Sequence, residues 1–394
     1  MLTSIYIHIP FCIKRCNYCD FNTYADRSYL IDDYIIALCN EIRSISFDQN
    51  NYPLIHTIYF GGGTPSVLPV EKFRIVLDCV REKFDILEDP EISMELNPGT
   101  INLDYLKALK EININRLSIG MQSANPRELK LLGRIHTVKD VINAVSWARL
   151  TGFDNINLDL IFGLPGQKLS HWENSLNLAV QLNPEHFSLY SLILEPETLL
   201  KDLYDKGYME LIDDDLTAEM YEYANRILEN HGYKNYEISN WARTDGDTSF
   251  ESVHNKQYWN YEPYIGFGLG SHSYFGKRRF ANCQNLEAYI NQTKSQKLNR
   301  KKLTNATQDI VEIDRQKEIE EMMIMGLRLT EKGISDNRFY TRFGISVFNE
   351  FEKEIKTLIE QGLIEEFYES NERSIRLTKK GRLLGNHVFS MFLR

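Results

Sequence analysis

The sequence predicts an α/β chain: parallel βαβ units that form a barrel or an open sheet, followed by a smaller winged-helix-like α+β module. Two patterns carry this expectation. Six short β-rich runs alternate with longer amphipathic stretches from Ser4 to about Trp241, and that alternation implies parallel crossover units. After Cys283 helical periodicity takes over and ends in a strand, turn, strand and helix. A chain of 394 residues also exceeds what one core usually organises.

In order, the β-rich runs are 4–9, 55–60, 91–96, 116–121, 155–162 and 186–194. Helical candidates lie between them at 29–47, 70–84, 103–111, 138–151 and 169–182. Residues 1–284 are expected to form the first domain, 285–312 a linker with a polar helix and a basic hinge at 300–302, and 313–394 the second domain. In that second domain Ile319, Met322, Met323, Gly326 and Leu329 recur at helical spacing, and the methionines read as core filler. A helix over 351–361 stops at Gly362, strands follow at 363–367 and 375–377 around a polar turn, and Thr378 caps the last helix.

The composition is that of an ordinary globular protein, 43% hydrophobic and 25% charged. A net charge of −10 argues against general affinity for nucleic acid or anionic lipid, so the winged-helix pattern is expected to serve packing. No apolar run approaches a membrane helix, and 4–9 is too short for a signal core. With clustered reduced thiols, this points to the cytoplasm.

Those thiols are Cys12, Cys16 and Cys19, in a CxxxCxxC loop after the first run. Three thiolates on a four-iron cubane leave one iron open to a chelating molecule such as S-adenosylmethionine (SAM). A structural zinc site including His8 is the alternative, although zinc ribbons use two separated pairs and no partner CxxC exists. Disulfides fit poorly in so crowded a loop. Cys39, Cys79 and Cys283 read as ordinary buried thiols.

Other distinctive residues fall at the ends of the runs, where parallel sheets place chemistry. Gly61-Gly-Gly-Thr-Pro-Ser66 follows the second run and lacks the lysine of a P-loop. Glu95 closes the third, Gln122 follows the fourth and Asp159 lies in the fifth. Tyr6-Ile-His-Ile-Pro-Phe-Cys12, the cysteine triplet and Tyr59-Phe-Gly-Gly-Gly-Thr-Pro-Ser66 together resemble the radical SAM superfamily. More closely they resemble its oxygen-independent coproporphyrinogen III oxidase-like group. Met94-Glu-Leu-Asn-Pro98, Ser118-Ile-Gly-Met-Gln-Ser123, Gly133-Arg-Ile-His136 and Asn157-Leu-Asp159 extend the likeness. It implies a partial (β/α)6 barrel carrying a [4Fe–4S] cluster on Cys12, Cys16 and Cys19. It also implies a SAM pocket lined by Tyr6, Tyr18, Gly62, Gly63, Thr64, Glu95, Gln122, Arg134 and Asp159. Arg134 can fork onto a carboxylate and Glu95 can accept from an ammonium group, while Gln122 and Asp159 suit ribose hydroxyls. Taken singly, such residues are more often surface salt bridges or strand-end caps.

Within that group the true oxidases carry a further cysteine two residues past the triplet, where this chain has Asp20-Phe21, and an extension ahead of the first strand. His254-Asn-Lys-Gln-Tyr-Trp259 instead resembles the HNxxYW signature of the haem-chaperone family. That resemblance implies haem as a third cofactor, with His254 as axial ligand. Tyr258, Trp259, Tyr261 and Tyr264 would serve as aromatic walls, beside flexible backbone at Gly266, Gly268 and Gly270. His8, His136 and His272 are weaker candidate ligands. The implied partners are haem and acceptor haemoproteins such as membrane cytochromes, with a homodimer and transient membrane association through acceptors as further expectations. The bland reading makes His254 a hydrogen-bonded structural histidine. The rival function is a SAM-dependent radical oxidoreductase acting on a porphyrinogen.

Overall fold

A computed structural model describes residues 1–47, 52–294, 302–369 and 371–394. The chain divides into two compact units, each discontinuous in sequence: Met1–Ile227 with Pro263–Glu312, and Leu228–Glu262 with Ile313–Arg394.

The first unit is built on six parallel strands in sequence order: β1 (Leu2–Ile9), β2 (Leu54–Gly62), β3 (Asp85–Leu96), β4 (Arg116–Gln122), β5 (Ile156–Phe162) and β6 (His186–Ser191). Helices Ile31–Ser44, Val70–Lys83, Leu103–Glu111, Val138–Leu150 and Leu169–Gln181 form the crossovers. The free edge of β1 takes a seventh parallel strand, Tyr264–Phe267, which leaves the barrel partial. Antiparallel strands His272–Phe275, Arg278–Asn282 and Thr307–Glu312 continue the sheet outward.

Strand alternation divides the barrel wall chemically. One face is apolar and meets the helices: Phe60 packs edge-on to Phe73 of Val70–Lys83, ring centroids 5.2 Å apart. The other face is polar on strand after strand. By register Tyr6, Tyr59, Ser93 and Arg116 form one row, and Glu95, Ser118, Asn157 and His186 the next. Gly120, Asp159 and Ser188 form a third row toward the C-terminal ends.

The described residues of the stretch expected as a linker, 285–312, are part of this unit. Helix Leu286–Thr293 and edge strand Thr307–Glu312 belong to it, and the expected hinge residues Arg300 and Lys301 lie outside the described residues. What binds the segment is a buried carboxylate. Glu41 accepts from Gly268 N–H (2.8 Å), Tyr289 O–H (2.6 Å), Asn282 Nδ2 (2.6 Å) and Thr304 Oγ1 (3.0 Å). Gly266, Gly268 and Gly270 belong here too, and they are tight rather than flexible. A Cβ on Gly266 would stand 2.2 Å from the His272 carbonyl oxygen, and one on Gly268 2.6 Å from the Tyr34 hydroxyl.

The second unit carries helices Arg315–Gly326, Asp336–Phe343 and Glu352–Glu360 with an antiparallel sheet of Ile334–Ser335, Glu372–Leu377 and Ile364–Glu369. The wing pairs Ile364 with Leu377 through to Glu369 with Glu372. Thr378 caps the next helix, its Oγ1 accepting from Gly381 N–H at 3.0 Å. Strands Lys234–Glu237 and Asn240–Ala242 and helix Val253–Trp259 complete the unit. The HNxxYW segment, expected with the barrel, therefore belongs to the second unit. The Tyr261 hydroxyl donates to Glu321 (2.5 Å), Arg342 donates to the Tyr261 carbonyl (3.1 Å), and Arg338 binds Asn260 and Glu262. Among the described residues no helix is long and apolar enough to cross a membrane.

Candidate functional site

The cysteine loop leaves β1 and is pinned at both ends. His8 is buried with both ring nitrogens engaged: Nε2–H donates to the Asn22 carbonyl (2.9 Å) and Nδ1 accepts from the Tyr6 hydroxyl (3.1 Å). Burial also pushes its pKa down, so the ring is neutral and braces the loop through these two bonds. In the middle, Asn17 donates from its backbone to the Leu132 carbonyl (3.0 Å) and from its side chain to the Leu131 carbonyl (2.8 Å). Gly133 makes that clamp possible, since its φ is +73° and a Cβ would stand 2.8 Å from Asn17 Oδ1. The half-buried Tyr18 packs on Leu132, Ile161, Leu164 and Leu200.

The glycine run after β2 closes on the loop. Gly63 N–H donates to the Ile9 carbonyl and Thr64 N–H to the Phe11 carbonyl, both at 2.8 Å. A Cβ on Gly63 would meet Cys12 Sγ at 3.0 Å, and Thr64 Oγ1 reaches that sulfur at 3.5 Å. Burial raises the Cys12 thiol pKa and takes that of Cys19 to about 11, so both hold their protons until a metal displaces them.

Arg134 follows helix Pro126–Leu131 and the Gly133 turn, and its side chain reaches β4. Its Nη2 donates to the Gly120 carbonyl (2.9 Å), Nε to His136 Nδ1 (3.3 Å) and Nη1 to Cys16 Sγ (3.6 Å). His136 in turn donates from Nε2 to the Met121 carbonyl (3.1 Å), and burial with the Arg134 charge lowers its pKa to about 4. It is placed to position Arg134. A Cβ on Gly120 would strike Gln122 Nε2 at 2.8 Å and Arg134 Nη2 at 3.0 Å. Gln122 itself has φ +62°, a strained backbone for a non-glycine residue, held where strand meets site.

Opposite stands Glu95, accepting from Tyr59 O–H (3.0 Å) and Gly62 N–H (3.1 Å). Burial first, then the nearby Asp159, pushes its pKa up to about 7. Asp159, also raised by burial, accepts from Ser118 Oγ (2.9 Å) and Asn157 Nδ2 (2.7 Å). Contacts thus join Glu95 to Gly62, Thr64 to Cys12, and Arg134 to Cys16. Sequence reasoning missed Asn17 and the brace roles of His8 and His136. The signal was available in the asparagine between two cysteines and the histidine two places beyond Arg134.

Comparison with known proteins agrees with this geometry. The model of the radical SAM superfamily matches residues 6–179, and that of the HemN C-terminal domain matches 313–384. A protein of Bacillus subtilis called heme chaperone HemW is 40% identical over 393 residues, covering 100% of this chain and 99% of that one. Its namesake in Haemophilus influenzae is 32% identical, covering 99% and 97%. The chain belongs to the HemW family of radical SAM proteins. The fold is also that of the Escherichia coli coproporphyrinogen III oxidase HemN, with TM-score 0.81 at 24% identity over 99% of this chain and 89% of that one.

The family carries a [4Fe–4S] cluster and SAM, and the site fits both. All three loop thiols are free and partly accessible. Among the described residues no three His, Cys, Asp or Glu side chains are gathered tightly enough to hold a single ion, whereas a cubane spreads its thiolates over separate irons. Among the described residues Arg134 has no carboxylate partner and Glu95 no cationic one. A zwitterionic amino-acid end would match both groups.

His254 is a different case. It lies on helix Val253–Trp259, capped by Ser252, in the second unit, and not among the barrel residues. The residue is 2% exposed, and its ring shares a 2.9 Å hydrogen bond with the Tyr258 hydroxyl. Tyr264 falls in the first unit, Trp259 stacks under Arg328 (4.4 Å), and His272 is exposed on its strand.

Proposed function

We propose that this chain is a haem chaperone, binding haem and handing it to acceptor haemoproteins such as membrane cytochromes. The observation that carries the reading is the end-to-end similarity to proteins named heme chaperone HemW. The cysteine loop supports it, since Asp20-Phe21 offers no further thiol beyond the triplet.

In this reading Cys12, Cys16 and Cys19 hold the cluster. Arg134 takes the SAM carboxylate, Glu95 its ammonium, and Gln122 and Asp159 the ribose hydroxyls. The glycines at 62 and 63 let backbone reach the ligand, with Tyr6, Tyr18 and Thr64 closing the walls. When bound, the cluster supplies an electron and SAM a sulfonium that accepts it. Haem is held through His254, whose ring must first leave Tyr258 to reach iron. The carrier works in the cytoplasm as a homodimer and meets membranes through its acceptors.

The test is anaerobic reconstitution followed by haemin titration and transfer to a membrane apocytochrome. Wild type should bind haem and deliver it. His254→Ala should shift the Soret band and slow transfer, and an unchanged spectrum removes His254 as ligand. Incubation with SAM and coproporphyrinogen III should leave the porphyrinogen intact; 5′-deoxyadenosine together with protoporphyrinogen would overturn the carrier reading.

A further inference from the structure

The pocket of Glu95 and Arg134 occupies the C-terminal end of the barrel, but the polar face runs deeper. One row below Glu95, Arg116 is 2% exposed and Ser93 fully buried, side by side in register on β4 and β3. Among the described residues Arg116 Nε and Ser93 Oγ have no hydrogen-bond partner, and no carboxylate forms an ion pair with Arg116. The charged and titratable groups that face this guanidinium are Tyr59, Asp159 and His186. Asp159 is bonded to Ser118 and Asn157 instead, and His186 donates from Nδ1 to Asn157 Oδ1 at 2.6 Å.

A buried guanidinium without an acceptor is costly, and folded proteins supply one. The planar fork of arginine beside a hydroxyl suits a carboxylate, which takes two parallel N–H bonds and a third from O–H. We propose that Arg116 and Ser93 form a carboxylate-binding position in the barrel lumen, beneath the Glu95 pocket. Its ligand is a carboxylate-bearing molecule narrow enough to enter the lumen end-on. The position uses none of the residues assigned to SAM or haem, so it stands or falls independently of those assignments.

The experiment titrates reconstituted full-length protein, saturated with SAM so that Arg134 is occupied, with acetate by calorimetry at constant ionic strength. Wild type should bind one equivalent. Arg116→Gln should weaken binding about tenfold or more, Ser93→Ala several-fold, and Arg116→Lys should recover part of the loss. Arg43→Gln, which removes an exposed guanidinium outside the barrel lumen, should leave it unchanged. No saturable binding to wild type, or equal binding to Arg116→Gln, overturns the proposal. Should Arg116→Gln fail to fold, wild-type crystals grown in bromide decide. An anomalous peak against Arg116 supports the site, and an ordered water alone between Arg116 and Ser93 overturns it.

Discussion

At the scale of single residues, the site is governed by buried charges awaiting a ligand. Glu95 ionises in the folded chain near 7, against an ordinary value of 4.5. Between those values the folded chain holds more protons than the unfolded one. The contribution of Glu95 is therefore fully present below about 4.5 and lost as pH rises through about 7. Glu95→Gln keeps the site neutral. In cofactor-free protein it should flatten this slope and raise stability at pH 8 by on the order of 1–3 kcal/mol, while weakening SAM retention. Urea melts at pH 5 and pH 8 check it, and identical slopes in the two proteins would refute it. The cysteine triplet stood out by its spacing, whereas the glycine run and Glu95 were singled out by their place at strand ends and by resemblance to the radical SAM superfamily. Arg116 was not. Its meaning comes from register against Ser93, which no local pattern encodes.

At the scale of elements, the cysteine loop is ordered by the turn that precedes Arg134. The Asn17 clamp on Leu131 and Leu132 needs a residue at 133 without a Cβ. Gly133→Ala should therefore lower the iron and sulfide retained after reconstitution by several-fold, with a melting temperature changed by only a few degrees. Iron assay beside calorimetry distinguishes this from general unfolding, which would lower both together. The six barrel strands could be read in advance because short β-rich runs alternate with amphipathic helical stretches; β4 is buried along its whole length although Arg116, Ser118 and Gln122 alternate with Leu117, Ile119 and Met121. Strand Thr307–Glu312 could not, since all but its first residue are exposed and only hydrogen bonding to Arg278–Asn282 defines it. Reading 285–312 as a linker followed from that polarity. Helices Leu199–Asp205 and Asp214–Asn230 also went unpredicted, the second for its acidic, weakly apolar start.

For the whole molecule, the decisive fact is that each unit is assembled from two stretches of chain. The sequence boundary at 284 followed a change in periodicity, while the compact units follow contacts that sequence order hides. Glu318 pairs with Arg342 at 2.8 Å, but Arg342 and Glu321 also hold Tyr261, which lies far upstream. A fragment of 313–394 alone should thus lack a cooperative thermal transition, whereas 228–262 joined to it by a flexible linker should regain one. Circular dichroism on both checks this, and a sharp transition in the short fragment would contradict it.

This interleaving also bears on synthesis. As the chain leaves the ribosome, residues 228–262 emerge before the strands of 263–312 that complete the barrel sheet, and their own partners in 313–394 come last. Neither unit can close until well after its first half has been made. The nascent chain therefore carries two half-built apolar faces at once, and its yield in a cell should depend on holdase capacity more steeply than that of a protein whose domains finish in turn.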